Sequence, residues 1–270
     1  MFNSSSLEQL CLESCKIIRE VGDFIYQELG KVKASSIETK ALNSLVSYVD
    51  KEAEKQLVTG LGKLLPEATF LTEEETVEQK EGQYRWIIDP LDGTTNFLHQ
   101  LPFFCVSVGL EHDGKLILGI IYEPIRQECF YGWKDGGAYL NGDSISVSKT
   151  DQLSDALLAT GFPYYDYSAV KAYLGALEQL MQSSRGIRRL GSAALDLAYV
   201  ACGRFDAFFE YSLNPWDVAA GAFLVTEAGG RVTDFSGGND YLHGKQLIAS
   251  NKGIADSFSE IIQQLFFPMG

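Results

Sequence analysis

Residues 86–97 read Trp86-Ile87-Ile88-Asp89-Pro90-Leu91-Asp92-Gly93-Thr94-Thr95-Asn96-Phe97. The apolar run Trp86-Ile87-Ile88 suits a buried strand, and Asp89 stands where that strand is expected to end. Pro90 removes a backbone donor and fixes the turn. Asp92 follows Asp89 by three residues, so the two acids can converge on one point. Gly93 permits close backbone approach, and Thr94-Thr95 can open a short helix whose free N–H groups attract an anion. Two hard oxygen donors beside an anion cradle suit magnesium shared with a phosphate group. A solvated D-P-x-D-G turn would need none of this. Against it stands the cost of carboxylates at the end of a buried strand with nothing to compensate them.

Working outward, two further acids have the same character. Glu73 follows the short apolar run Thr69-Phe70-Leu71, and Asp217 follows Pro215-Trp216 at the head of an apolar stretch. Asp217 equally suits a helix cap or the helix dipole. Glu73, Glu74 and Glu75 are consecutive, and spacing from Phe70 favours Glu73 as the cleft acid.

The remaining pattern is that of an α/β (α+β) chain whose sheets are covered by helices. Leu7, Leu10, Ser14, Ile17, Ile18, Val21, Phe24 and Ile25 recur at helical spacing, which predicts an amphipathic helix over 5–29. A second helix is expected over 44–64. Residues 103–111 and 115–122 read as strands split by Asp113-Gly114, a hairpin signal. Residues 129–133 read as another strand, and Gly136-Gly137 and Asn141-Gly142 mark turns. Beyond a polar stretch at 148–154, strands are expected at 156–160 and 205–210, and helices at 169–182, 192–202 and 218–228. The last of these stops at Gly229-Gly230. The polar stretch divides the chain into an expected half 1–150, carrying most of the acids, and a half 151–270, carrying Asp217.

The whole-chain numbers restrict the function. A net charge of −14 opposes non-specific nucleic-acid binding, which needs a basic surface. The first residues lack the basic and apolar regions of a secretion signal, and no apolar run is long enough to cross a bilayer. The five cysteines are scattered without a C-x-x-C pair, as in a reducing compartment. A cytoplasmic protein with no membrane partner is expected. His99, His112 and His243 fall in no metal or triad motif. Arg185, Arg188 and Arg189 form a small basic cluster that reads as solvated or as an interface, with contact to an anionic substrate as the less favoured alternative. Neither a P-loop nor a G-x-S-x-G motif occurs.

Residues 86–97 resemble the first signature of the inositol monophosphatase family. Asn214-Pro215-Trp216-Asp217-Val218-Ala219-Ala220-Gly221 with Thr226-Glu227-Ala228-Gly229-Gly230 resembles the second. Phe70-Leu71-Thr72-Glu73-Glu74, Gly191-Ser192-Ala193-Ala194 and Phe209-Glu210 also match in order and spacing. The resemblance runs from about residue 10 to 255.

It implies a layered α-β-α-β-α fold and a lithium-sensitive phosphatase. Two or three Mg²⁺ ions would be held by Glu73, Asp89, Asp92, Asp217 and the Leu91 carbonyl. Gly93 and Thr94 would bind phosphate. Thr94, paired with Asp50, would orient the attacking water, with Glu73 also catalytic. Asp92, Ala193, Glu210 and Asp217 would meet the substrate's alcohol part. The partner implied is a small phosphate ester, myo-inositol monophosphate first. Acting on 3′-phosphoadenosine 5′-phosphate, fructose 1,6-bisphosphate, histidinol phosphate or NADP is the alternative, and a non-catalytic regulatory protein of the same fold is the rival from another class. A homodimer is also implied. Two departures stand out: Thr72 occupies a position where the family often has Gly, and the expected loop lysine has two candidates, Lys33 and Lys40.

Overall fold

A computed structural model describes residues 4–33, 38–41, 44–163 and 166–267. Five layers follow one another. Helices α1 (Ser4–Glu28) and α2 (Tyr48–Leu64) cover one face of a seven-stranded sheet. Its strand order is β3 (Thr69–Thr72), β4 (Tyr84–Asp92), β5 (Cys105–His112), β6 (Lys115–Glu123), β7 (Glu128–Trp133), β8 (Gly137–Leu140) and β9 (Asp143–Ile145). β1 (Glu38–Ala41) and β2 (Ser44–Val46) form a separate small ribbon, and α3 (Thr94–Leu98) follows β4.

Helices α5 (Ala193–Ala201) and α6 (Pro215–Glu227) lie between this sheet and a second one. In the second sheet, β11 (Gly186–Arg188), β10 (Leu157–Thr160), β12 (Ala207–Tyr211), β14 (Gln246–Ser250) and β13 (Arg231–Thr233) neighbour one another in that order. Helices α4 (Val170–Ser183) and α7 (Ala255–Phe266) cover its far side. Three apolar clusters fill the gaps between layers. This is the expected layered α+β fold. Among the described residues no helix is long and apolar enough to cross a membrane.

Hydrophobic spacing explains the outer helices. Leu7, Leu10, Ile18, Val21 and Ile25 are buried on α1, one apolar face at helical period. The two hairpins at Asp113-Gly114 and Asn141-Gly142 obey their dipeptides. Asp113 and Gly114 have φ of 50° and 75°, and Asn141 and Gly142 have φ of 51° and 98°. Positive φ at both turn positions matches the right-handed strand twist.

Two expectations are corrected. The helix expected over 44–64 begins only at Tyr48, because residues 44–46 pair as β2. Ser47 and Asp50 form a reciprocal capping box there, which starts a helix sharply. The strand expected to end at Asp89 continues to Asp92 through a bulge. Asp89 pairs with Ser107 and Asp92 with Cys105, so Pro90 and Leu91 together oppose Val106. A bulge tolerates the missing proline donor. Its consequence is larger than its size. Residues three apart on a regular strand point to opposite faces, and the extra residue turns Asp89 and Asp92 toward the same one.

Candidate active site

The cleft at the C-terminal end of β4 is walled by both halves of the chain. Glu73, Asp89, Leu91, Asp92, Gly93, Thr94, Gly191, Ala193, Glu210 and Asp217 all line it. Every expected site residue except Asp50 is therefore at its wall, and Asp50 reaches it through Thr94.

Glu73 leaves β3 with its N–H donating to the Ile88 carbonyl at 3.2 Å, which sets it beside β4. Its carboxyl is within hydrogen-bonding reach of Asp89. Of the three consecutive acids, Glu73 lines the cleft, while Glu74 and Glu75 do not. Asp89 is buried, and its Oδ1 accepts from the Leu91 N–H at 2.9 Å.

Asp92 is stitched across to α5. Its Oδ2 accepts from Ser192 Oγ at 2.6 Å and from the Ala194 N–H at 2.7 Å. Ser192 is also the N-cap of α5, so one hydroxyl serves the helix and the acid together. Asp217 is the third residue of α6, and its Oδ2 accepts from the Asn214 N–H at 2.7 Å. It does form the cap that the sequence allowed, and it lines the cleft as well.

Electrostatics mark these acids as one group. Burial pushes Asp89 well up, and the charges of Glu73, Asp92 and Asp217 push it further. Asp217 is raised well up by burial, then by Asp92 and Glu73. Burial raises Asp92 to about 6, against the lowering effect of Ser192, Ala194 and Arg189. Carboxylates that raise one another in a cleft call for a cation.

The donors fit magnesium. They are carboxylates and a backbone carbonyl, and no histidine or cysteine lines the cleft; hard oxygen donors select such a cation. Among the described residues no three acidic, histidine or cysteine side chains already sit as a closed cage. Magnesium seldom needs one, since it keeps waters and shares substrate phosphate oxygens.

Thr94 Oγ1 lies 3.0 Å from Asp50 Oδ1 and 3.0 Å from the Leu91 carbonyl. Asp50 is held from the other side, its Oδ2 accepting from the Ser47 N–H and Oγ. Burial raises its pKa, while the Ser47 and Thr94 hydrogen bonds lower it. Gly93 has φ of 94°, and a Cβ there would come within 2.9 Å of the Phe103 carbonyl. Conformation and space both demand glycine at the turn.

Glu210, next to last in β12, is buried, and burial raises its pKa to about 8, with Arg189 lowering and Asp92 raising it. A Cβ on Gly161 would strike its carboxylate, so the glycine makes room for the acid.

Several residues in the cleft wall, and Asn96 next to it, escaped the sequence reading. Arg189 is in the cleft wall and acts on Asp92, Asp196 and Glu210, whereas the sequence favours a solvated or interface role for its cluster over contact with an anionic substrate; Arg185 fits the favoured reading, exposed and paired with Asp155. Asn96 donates to the Phe103 and Leu190 carbonyls, tying the turn to the other half. Asp196 is buried at the wall, with one carboxylate oxygen lacking a hydrogen-bond partner. The Gly161-Phe162-Pro163 break after a strand was the signal available for Gly161. Ser192 had the helix-cap signal, and Asn96 and Asp196 had none. Of the lysine candidates, Lys33 is exposed and the Lys40 side chain lies outside the described residues.

Known proteins share this fold. A family model described as the inositol monophosphatase family matches residues 6–265. The Nus factor SuhB of Pseudomonas aeruginosa is 42% identical over 86% of this chain and 88% of its own. An inositol-1-monophosphatase of Rhizobium meliloti is 41% identical over 91% and 92%. Among solved structures, the extragenic suppressor protein suhB of Bartonella henselae superposes with a TM-score of 0.87 at 42% identity, covering 92% of this chain and 96% of that one. An IMPase/NADP phosphatase complexed with Mg²⁺ and phosphate gives 0.79 at 26% identity, covering 92% of each. With a match that spans both sheets and every acid of the cleft, the chain belongs to the inositol monophosphatase family.

Proposed function

We propose that this chain hydrolyses a small phosphate monoester, myo-inositol monophosphate first, using Mg²⁺ and water. The observation that carries the reading is the Thr94–Asp50 hydrogen bond beside four acids lining one cleft. Magnesium held by Glu73, Asp89, Asp92, Asp217 and the Leu91 carbonyl would neutralise phosphate charge and acidify water. The protein's own groups do the rest. Gly93 lets the backbone approach the phosphate. Thr94, donating to Asp50, keeps its lone pairs free to accept a hydrogen from water and so fixes the direction of attack. Phosphoryl transfer depends mainly on such positioning and charge neutralisation.

Phosphate release from myo-inositol 1-phosphate and a panel of phosphomonoesters tests the reading. Release is expected with Mg²⁺ and none in excess EDTA, with recovery on adding Mg²⁺ back. Full activity in EDTA, or no release from any ester, would sink it.

On the alcohol side, Glu210 and Ala193 supply the specificity. A carboxylate accepts hydrogen bonds from vicinal hydroxyls, and Mg²⁺ bound in the cleft would oppose the upward shift of Glu210 and favour its ionised form. Glu210→Gln is expected to lower kcat/KM for the inositol ester by about one to two decades, as for a lost hydrogen bond to a charged group of roughly 1.5–3 kcal/mol. p-Nitrophenyl phosphate, which lacks those hydroxyls, should lose much less. Equal losses would mean that Glu210 serves the fold or the metal.

The name of the Pseudomonas relative favours a second reading, a role like that of a Nus factor. A variant without phosphatase activity that still supports such a role in cells would separate the two.

A further inference from the structure

Glu54 lies one helical turn after Asp50 on α2 and is fully buried. Residues four apart share a helix face. Asp50 reaches Thr94 from this face, and Glu54 reaches the loop that carries Glu73. Glu54 Oε1 accepts from Thr72 Oγ1 at 3.0 Å and from the Thr76 N–H and Oγ1 at 2.7 Å each. Its Oε2 accepts from the Glu74 N–H at 2.7 Å. The donors thus come from the residues immediately before and after Glu73 and from the end of the acidic run. Glu75 adopts a left-handed φ of 51°, which turns the chain back so that Thr76 can donate. Gln79 closes the other side: its Oε1 accepts from the Thr72 N–H at 2.8 Å.

A loop of three consecutive glutamates resists compaction, because like charges repel. A buried acid is an unexpected anchor for it, yet every donor named is a hydroxyl or a backbone N–H. Four donors on two oxygens suit a carboxylate, since an amide in its place would turn its own N–H₂ toward donors. The Thr72 hydroxyl is one of the four.

We propose that Glu54 is a positioning residue, which clamps the loop on both sides of Glu73 and so holds that acid in place for Mg²⁺. One helix then sets both the Thr94 hydroxyl and the Glu73 carboxylate. The inference rests on Glu73 being a metal ligand, as proposed above.

Calorimetric titration with Mg²⁺ alone tests it on the full chain, with thermal unfolding in EDTA as the check on folding. Glu54→Gln is expected to fold and to bind Mg²⁺ roughly 10–100-fold more weakly, the usual effect of losing a partner that orients a ligand. The double variant Thr72→Val/Thr76→Val keeps the carboxylate and both backbone donors, and should shift affinity the same way by less. A role in the fold alone would lower the unfolding temperature and leave Mg²⁺ affinity unchanged, which overturns the proposal. If Glu54→Gln does not fold, the threonine variant decides, and unchanged affinity there overturns it too. Wild-type protein that binds no Mg²⁺ would overturn the metal reading itself; normal wild-type binding with an unaffected variant overturns only the clamp.

Discussion

Asp92→Asn is expected to yield a folded protein whose kcat is lower by roughly 10²–10³-fold, the usual loss when one preorganised electrostatic group is removed from an active site. The fold should survive because asparagine keeps the shape and one acceptor oxygen. That oxygen can still take the hydrogen bonds from Ser192 Oγ and the Ala194 N–H. The amide nitrogen is then left toward the cleft, where a cation is wanted and a donor repels it. Asp217→Asn follows the same reasoning, since an amide oxygen can still cap α6 through the Asn214 N–H. The measurement is kcat for phosphate release at saturating Mg²⁺, beside circular dichroism and the unfolding midpoint. Turnover near wild type in a folded variant would remove that acid from the site.

The acidic side of this site is legible in the sequence because it is local. An apolar run ending in acids, a proline and a glycine is enough to place Asp89, Asp92 and Gly93 on one turn. What the local pattern hides is the bulge. Three-residue spacing alone would turn the two carboxylates to opposite faces, and only the pairing of β4 with β5 reveals the correction. The start of α2 was misread for a related reason. Leu45 and Val49 fit a helical stripe, and the Ser47–Asp50 capping box, visible in the sequence, outranks it. Other partners are beyond any window. Ser192 meets Asp92 across 100 residues, and Asn96 meets Leu190 across 94. Arg189 looks like part of a surface cluster until two sheets close around it. Sequence pattern finds charges that belong together on one segment; those joined by the stacking of layers appear only in the fold.

Thr94→Val should separate orientation of water from binding of metal. Valine has the shape of threonine without the hydroxyl, so the turn at Gly93 and the short helix after it are kept. With one hydrogen to donate, Thr94 faces two acceptors, Asp50 Oδ1 and the Leu91 carbonyl. The ionised carboxylate is the stronger acceptor. Donation to Asp50 leaves the oxygen's lone pairs for a water hydrogen, and valine offers none. We expect kcat to fall by about 10²–10⁴-fold, the range for losing a positioned proton acceptor, while KM and Mg²⁺ affinity by calorimetry stay close to wild type. Asp50→Asn is the less clean probe, because Asp50 also caps α2 through Ser47 and its loss would mix stability into the rate. If Thr94→Val instead weakens Mg²⁺ binding as much as it slows turnover, the hydroxyl acts by steadying the Leu91 carbonyl. A variant with wild-type kcat would mean that water is oriented by some other group, and Asp50 would then be left as a helix cap.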